Sequence, residues 1–154
     1  MVIAKSEQAM KHLSAQFKAK TVKRSYEALV WGNIEQDFGT IDGPIGRHPK
    51  NRLQNKVFDL HEADKGKAAL THFEVLVLFG YVTLVSCTLK TERTHQIRVH
   101  MAHLKRPLVG DKTYNPRYQK IAGISETLDS ALRSYPRQAL HAFELAFDHP
   151  VLPK

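Results

Sequence analysis

The sequence predicts a single α+β domain in which helices flank a mixed, largely antiparallel β-sheet. Residues 71–91 contain two runs rich in β-branched and aromatic side chains, separated at Phe79-Gly80, which is typical of a β-hairpin. Residues 6–18 and 95–104 instead place apolar side chains at the helical period. No linker, internal repeat or low-complexity segment divides the 154 residues, a length that suffices for one hydrophobic core.

The first predicted element is a helix over residues 6–18. Ser6 is a residue type favoured at a helix N-cap, and Met10, Leu13 and Phe17 recur at helical spacing. These three apolar side chains are therefore expected on the buried side of the helix.

A strand is predicted over residues 21–31. Tyr26 and Ala28 fall on one face of this strand, and Leu29 and Trp31 fall on the other. Gly32 follows Trp31 and ends the predicted strand.

The remaining predicted elements are short. Glycines and prolines within residues 33–56 predict short strands joined by loops. The helix over residues 95–104 is followed by Pro107, which stops it. A second short helix is predicted over residues 124–134, and the alternation of residues 139–147 predicts a closing strand.

Composition narrows the partners and the compartment. The formal net charge is +8 and the pI is about 9.7, which favours a polyanion such as nucleic acid, although a basic solvated face is the simpler alternative. The single Cys87 cannot form an internal disulfide, so a reducing, cytoplasmic location is expected. No apolar run reaches the length of a membrane span, and residues 1–10 lack the pattern of a secretory signal.

Common catalytic and metal-binding motifs are absent from the sequence. There is no G-x-S-x-G for a serine nucleophile, and no G-x-G-x-x-G or G-x-x-x-x-G-K-[ST] for a nucleotide. His95, His100 and His103 lie close in sequence, but only His100 and His103 share a helix face, and no second cluster supplies further ligands. The residues therefore predict neither a metal nor a cofactor.

The densest polar motif comprises Arg93, His95, Gln96 and Arg98. Arginine suits a bidentate clamp on carboxylate or phosphate, and it also suits contact with nucleic acid. The same arginines could instead pair with surface acids, and Tyr26 could be an ordinary core aromatic. The residues alone leave these alternatives open.

Motifs along nearly the whole chain resemble those of the RluA-type pseudouridine synthases, which isomerise uridine in structured RNA. The late motif is the run RTHQIRVHMAHLKRPLVGDKTY. Four more resemble the family in the expected order: the strand VKRSYEALVWG, the segment IGRHPKNRLQNKV, the hairpin THFEVLVLFGYVTLVSCTLKT and the closing strand RQALHAFELAFDHP. The resemblance implies the pseudouridine synthase catalytic fold, an RNA partner, and neither cofactor nor metal.

The resemblance also implies roles for single residues. Tyr26 would pack on the target base, and Arg98 would pair with a catalytic aspartate and keep it ionised. The substrate-binding residues would be Arg93, Thr94, His95, Gln96, Lys23 and Arg47. Residues 108–111 would form a supporting turn, in which Asp111 is interpreted as a structural turn residue.

Two departures from the family pattern stand out. The essential aspartate of the family lies in an H-R-L-D-x-x-T-S-G segment, which residues 1–154 do not contain. Residues 1–154 are therefore expected to be one catalytic domain cut before Met1 and after Lys154, and inactive alone. Glu92 stands where the family usually has glycine, which puts a negative charge beside a site for phosphate.

These departures predict two structural consequences. Arg98 is expected to lack its carboxylate partner, and an unpaired buried charge would cost about 3–5 kcal/mol. A bared sheet edge is expected to favour self-association.

Three functions are compatible with the sequence. The first is part of an RNA pseudouridine synthase, with large-subunit ribosomal RNA favoured over transfer RNA as substrate. The second is a non-catalytic RNA-binding module of the same fold, and the third is an interaction domain whose basic face is incidental. Salt-dependent RNA binding would separate the first two from the third.

Overall fold

The computed structural model describes residues 2–150, and its elements alternate between short helices and longer strands. In chain order they are α1 (Glu7–Ala19), β1 (Lys23–Trp31), β2 (Phe38–Asp42), β3 (Ile45–Arg47), β4 (Asn55–Val57), a 3-10 helix (Leu60–Lys65), β5 (Leu70–Leu78), β6 (Val82–Leu89), α2 (Gln96–His103), α3 (Glu126–Arg133) and β7 (Leu140–Ala146). The α+β class predicted from the sequence is confirmed.

Five strands form the main sheet in the order β2-β5-β6-β1-β7, and β3 and β4 form a separate two-stranded sheet. Every strand pairing among the described residues is antiparallel. The predicted hairpin is β5 and β6, and Gly80 adopts a φ of 85° in the turn between them. Strand β1 lies between β6 and β7.

Helix α2 covers one face of the main sheet. Ile97 and Met101 of this helix join a buried cluster with Ala28, Val30 and Val85 of the sheet. The cluster anchors α2 directly across from the β1 face that carries Tyr26, so the hydrophobic core fixes the distance between the two elements.

The other face of the sheet carries a second apolar cluster around Trp31, the single tryptophan of the chain. The Trp31 ring lies 4.5 Å, centroid to centroid, from the ring of Tyr118. Tyr118 donates a hydrogen bond to Asp129 on α3 at 2.5 Å, and Leu132 of α3 packs against the same cluster. Helices therefore flank the sheet on both faces.

The element predictions agree with the structure apart from three details. Ser6 caps α1 by accepting a hydrogen bond from Ala9 N at 3.2 Å, but Met10 is exposed, because Leu13 and Gln16 form the buried side of this helix. The helix predicted over residues 95–104 ends at His103, and Leu104 after it is exposed. The 3-10 helix was not predicted, because a single turn carries no periodic pattern.

Among residues 2–150, strand β7 pairs with β1 alone, and no described strand covers its other edge. Its apolar side chains include Phe143 and Leu145, which are both exposed. None of the described helices is long and apolar enough to cross a membrane.

Candidate active site

A cleft of 460 Å³ opens between β1 and the N-terminal end of α2. The side chains around it are Arg24, Tyr26, Leu89, Glu92, Arg93, Thr94, His95, Gln96, Ile97, Arg98, Gln138 and Leu140. Six of the eight residues predicted to bind or transform a substrate, all but Lys23 and Arg47, therefore lie around one cavity.

Tyr26 forms the sheet side of the cleft. It is half-buried, lies opposite Cys87 of β6 and Ala142 of β7, and packs against the core cluster under α2. The core holds the ring while part of it faces the cavity. Tyr26 is thus a core strand aromatic that also lines the cleft.

Gln96 fixes the loop that leads into α2. Its amide nitrogen donates to Leu70 O and to Thr71 Oγ1, both at 3.0 Å, and its amide oxygen accepts from Thr91 Oγ1 at 2.9 Å and from Arg93 N at 3.0 Å. A primary amide has two donors and two acceptor sites, so the side chain is fully engaged inside the protein. Its geometry suits positioning of the neighbouring Arg93 better than direct contact with RNA.

The same buried network continues to His100. Gly43 O can only accept, so His100 Nε2 donates to it at 3.1 Å, which leaves Nδ1 to accept from the hydroxyl of Thr71 at 2.9 Å. Burial lowers the pKa of His100, which keeps the imidazole neutral. Helix α2 is therefore tied to β5 and to the end of β2 by polar groups as well as by the core.

Arg98 makes a bidentate ion pair with Asp111. Arg98 Nε donates to Asp111 Oδ2 at 2.7 Å, and Nη2 donates to Oδ1 at 2.8 Å. Burial alone would raise the pKa of Asp111, but the hydrogen bonds from Arg98 and from the backbone lower it below its usual value. The same interaction raises the pKa of Arg98, because the hydrogen bond to Asp111 stabilises the charged guanidinium.

The expectation that Arg98 lacks a carboxylate partner is therefore wrong. Asp111 also accepts hydrogen bonds from Thr113 N at 3.0 Å and Tyr114 N at 3.1 Å, so it does hold a turn as predicted. The preceding Gly110 has a φ of +72°, and a Cβ there would lie 2.1 Å from Arg137 O. Only glycine allows this close approach, which brings Asp111 to Arg98.

His95 also lines this side of the cleft, and Tyr114 contacts both His95 and Arg98. His95 N-caps α2 with a φ of 60°, a left-handed conformation that is uncommon outside glycine. Burial and the charge of Arg98 lower the pKa of His95, and its Nδ1 shares a hydrogen bond with the hydroxyl of Tyr114 at 3.0 Å. The guanidinium of Arg98 lies 4.9 Å from the centroid of the Tyr114 ring.

A second groove of 630 Å³ adjoins the cleft. It shares Glu92, Arg93 and Thr94 with the cleft and is lined in addition by Ile45, Gly46, Arg47, Asn55, Asp64, Lys65, Gly66 and Lys67. Four basic side chains against two acidic ones make this groove electropositive. Arg47 thus lies beside the cleft and not in it.

Lys23 lies apart from both cavities. It is three residues before Tyr26 in β1 and so projects from the opposite face of the sheet. There its amine pairs with Glu144 at 3.0 Å, and Glu144 also accepts from Ser25 Oγ at 2.7 Å. The predicted contact of Lys23 with RNA would need a surface other than the cleft.

Glu92 sits where the cleft and the groove meet. Its carboxylate contacts the guanidinium of Arg24, and this guanidinium also lies 4.8 Å from the centroid of the Phe17 ring on α1. The negative charge that the sequence placed beside the site is thus held against a basic side chain of the cleft.

Possible metal ligands come together at one place in the described part of the chain. Asp59, His61 and Glu62 offer donor atoms within 4.8 Å of one another, at the start of the 3-10 helix. None of the three lines the cleft, and Glu62 is already paired with Lys65 at 2.6 Å. This group does not take part in the candidate site.

Sequence reasoning missed three members of the site. Asp111 had a sufficient local explanation as a turn residue, and Tyr114, although quoted in the late motif, was given no role. Arg24 adjoins Tyr26 in the same strand, and the alternation of side chains could have placed it on the same face.

Comparisons with known proteins agree with the fold and the motifs. The family model of RNA pseudouridylate synthase matches residues 1–103. Ribosomal large subunit pseudouridine synthase D of Pseudomonas aeruginosa is 48% identical over 150 residues, which cover 97% of this chain and 45% of that protein. The protein of the same name from Escherichia coli is 42% identical, with 98% and 44% covered. The chain thus spans less than half the length of these relatives.

Solved structures resemble the fold over almost the whole chain. Human RNA pseudouridylate synthase domain containing 1 superposes with a TM-score of 0.75 at 30% identity, covering 95% of this chain and 58% of that one. Human RNA pseudouridylate synthase domain containing 4 has a TM-score of 0.72 at 23% identity, covering 94% and 60%, which supports the fold alone.

Proposed function

This chain belongs to the RNA pseudouridylate synthase family, and from that premise we propose that its cleft holds a uridine of structured RNA during isomerisation to pseudouridine. The observation that carries the proposal is the arrangement of the cleft. The ring of Tyr26 lies on one side, the guanidinium of Arg98 lies at the start of α2, and an electropositive groove adjoins both. An extruded base needs such an aromatic face, and the RNA backbone needs such a groove.

The proposed reaction balances without a cofactor. The N1–C1′ glycosidic bond breaks, C1′ joins C5 of the rotated uracil, and the proton lost from C5 is replaced by one at N1. Tyr26 stacks on the base, and Arg98 stabilises negative charge near the sugar or on a carboxylate. Burial lowers the pKa of His95, so a neutral imidazole beside Arg98 is available to form a hydrogen bond with the substrate.

The proposed chemistry requires a carboxylate that an H-R-L-D-x-x-T-S-G segment would supply. Asp111 does not substitute for it, because its carboxylate already accepts two hydrogen bonds from Arg98 and two from the backbone. Arg98 still has capacity for a second partner, since its Nη1 makes no hydrogen bond to any residue from 2 to 150. We propose that this nitrogen faces the catalytic aspartate once the segment precedes Met1.

Release of tritium from RNA labelled at uridine C5 tests the proposal, because isomerisation loses that hydrogen. The chain preceded by an H-R-L-D-x-x-T-S-G segment is expected to release tritium from large-subunit ribosomal RNA, and residues 1–154 alone are not. Arg98→Lys should abolish most of the release, whereas the exposed Arg133→Lys should leave it unchanged. No release from the extended protein, with the RNA bound, would contradict the proposal.

A second candidate function is a non-catalytic RNA-binding module. The contact between Glu92 and Arg24 favours it, because a carboxylate occupies a basic side chain of the cleft. This function predicts RNA binding that weakens with salt and no tritium release, even from the extended protein. Reading the DNA upstream of the Met1 codon would separate the two, since an in-frame H-R-L-D segment is expected only for the enzyme.

The cellular setting of the proposed function follows from its substrate. Large-subunit ribosomal RNA is the proposed substrate because the relatives from Pseudomonas aeruginosa and Escherichia coli are both named ribosomal large subunit pseudouridine synthase D. A cytoplasmic location is proposed with it, and the buried reduced thiol of Cys87 is compatible with that location. Fractionation of cells that express a tagged copy would test the location.

Self-association through β7 is proposed as a property of residues 1–154. The open edge of β7 and its exposed Phe143 and Leu145 offer a surface on which a second copy could add a strand. Gel filtration at two salt concentrations should show a dimer, and Phe143→Lys should convert it to a monomer. A salt-independent monomer for the parent chain would contradict this idea.

A further inference from the structure

Arg24 is a basic side chain of the cleft for which the resemblance implied no role. It lies two residues before Tyr26 in β1 and therefore projects from the same face of the sheet. The Phe17 ring of α1 supports one side of its guanidinium at a centroid distance of 4.8 Å. Its polar edge remains available for an anion, and the carboxylate of Glu92 contacts it there.

Among the arginines of the cleft, Arg24 is the one whose charge Glu92 offsets. Arg98 is neutralised by Asp111, and Arg93 Nε donates to Ala68 O at 3.1 Å. Glu92 is the acidic residue common to the cleft and the basic groove, so it lies on the path that a strand would follow from one cavity to the other.

We propose that Arg24 binds an RNA phosphate in the cleft, and that the Glu92 carboxylate occupies the position of this phosphate until RNA displaces it. This inference rests on the proposed RNA substrate. A guanidinium binds carboxylate and phosphate with the same paired geometry, so the Glu92 carboxylate imitates a phosphate. The pair is partly exposed, with side-chain exposures of 23% for Arg24 and 44% for Glu92, and such pairs are weak enough for a phosphate to replace the acid.

The exchange predicts how single substitutions change RNA binding. Glu92→Gln keeps the size of the side chain but removes its charge, so a phosphate can bind Arg24 without displacing a carboxylate. Affinity for a fluorescein-labelled RNA stem-loop with a uridine-rich loop should rise about fivefold at low salt. The slope of log K against log salt should steepen, because in the parent salt also weakens the competing Arg24–Glu92 pair, and the change should be at most about 0.7–0.9, the value of one phosphate contact.

The control is Glu126→Gln, which removes a lysine-paired carboxylate that is 86% exposed and lies outside both cavities. It should leave both the affinity and the salt slope nearly unchanged. A rise equal to that of Glu92→Gln would mean that net charge, and not Arg24, explains the effect, and it would overturn the inference.

The double variant isolates the contact between the two residues. In an Arg24→Gln background, Glu92→Gln should no longer tighten RNA binding, because the guanidinium with which Glu92 pairs is absent. If Arg24→Gln does not fold, as judged by circular dichroism, the salt slope of Glu92→Gln decides alone, and an unchanged slope overturns the inference. Absence of RNA binding in every variant would overturn the proposed function as well, whereas parent-like binding by Glu92→Gln overturns this inference only.

Discussion

Two arginine–carboxylate pairs border the same cleft, and they differ in burial and in the number of hydrogen bonds that hold them. The side chains of Arg98 and Asp111 are 10% and 0% exposed, and backbone amides add two more hydrogen bonds to the carboxylate. The side chains of Arg24 and Glu92 are 23% and 44% exposed and share a single contact. The same chemical pair therefore serves as scaffold in one place and as an exchangeable contact in the other, because water competes only for the second.

The difference extends to the surroundings of each pair. Arg98 belongs to α2, which the core cluster and the bonds of Gln96 and His100 hold in place. Arg24 is supported by one aromatic ring of α1. A rigid inner side and an adaptable outer side are what a site needs if it must orient a base but accept an RNA strand from solvent.

The largest effect is expected from removal of Asp111. Asp111→Ala leaves the Arg98 charge buried without a partner and removes the acceptor of two backbone amides, so the free energy of unfolding should fall by about 3–5 kcal/mol. Urea denaturation followed by circular dichroism would measure it. The exposed Asp59→Ala is the control and should change stability by less than about 0.5 kcal/mol. A loss below about 1 kcal/mol for Asp111→Ala would mean that the inner pair is as exchangeable as the outer one.

A smaller effect is expected from pH through His100. Its pKa is lowered in the folded protein, so the unfolded chain binds the proton more readily, and the stability it contributes is present above about pH 6.5 and is lost as pH falls towards its folded pKa. Urea midpoints should therefore decrease from pH 7 to pH 5.

The substitution His100→Gln should flatten this dependence, even if the variant is less stable at every pH. His61→Gln, at the surface, should retain it. An equally steep decrease in His100→Gln would assign the dependence to other groups, such as His95.

The smallest effect on stability is expected from Glu92. Glu92→Gln should change the free energy of unfolding by only about 0.2–1 kcal/mol, because exposed ion pairs contribute little. Thermal unfolding of the parent and the variant would measure the difference. A loss of several kcal/mol would show that the outer pair is also part of the scaffold, and the contrast between the two pairs would disappear.

Most of the fold could be predicted from the sequence because apolar side chains recur at the period of a strand or of a helix in most of its elements. The alternation in β1 and β5–β6 and the helical spacing in α2 identified the strands and helices that build the cleft. The burial of polar side chains was harder to predict. Gln96 and His100 are buried, and hydrogen bonds to residues distant in sequence satisfy their polar atoms.

The pairing of the arginines could not be predicted, because it depends on tertiary contacts. Asp111 is 13 residues from Arg98 and reaches it only through the turn at Gly110. Glu92 lies far from Arg24 in sequence, and only the antiparallel pairing of β1 with β6 brings the loop after β6 to that arginine. Motifs thus identified several residues of the site, and the topology determines which of the charged side chains pair with one another.

The position of Trp31 gives the protein a built-in optical probe for the face of the sheet that lies away from the cleft. Its indole is buried against Tyr118, so its fluorescence should be blue-shifted in the folded protein and move to longer wavelength when this cluster opens. Because no second tryptophan obscures the signal, emission reports on the α3 side while circular dichroism reports on the whole chain. Coincidence of the two transitions would mean that both faces of the sheet unfold as one cooperative unit.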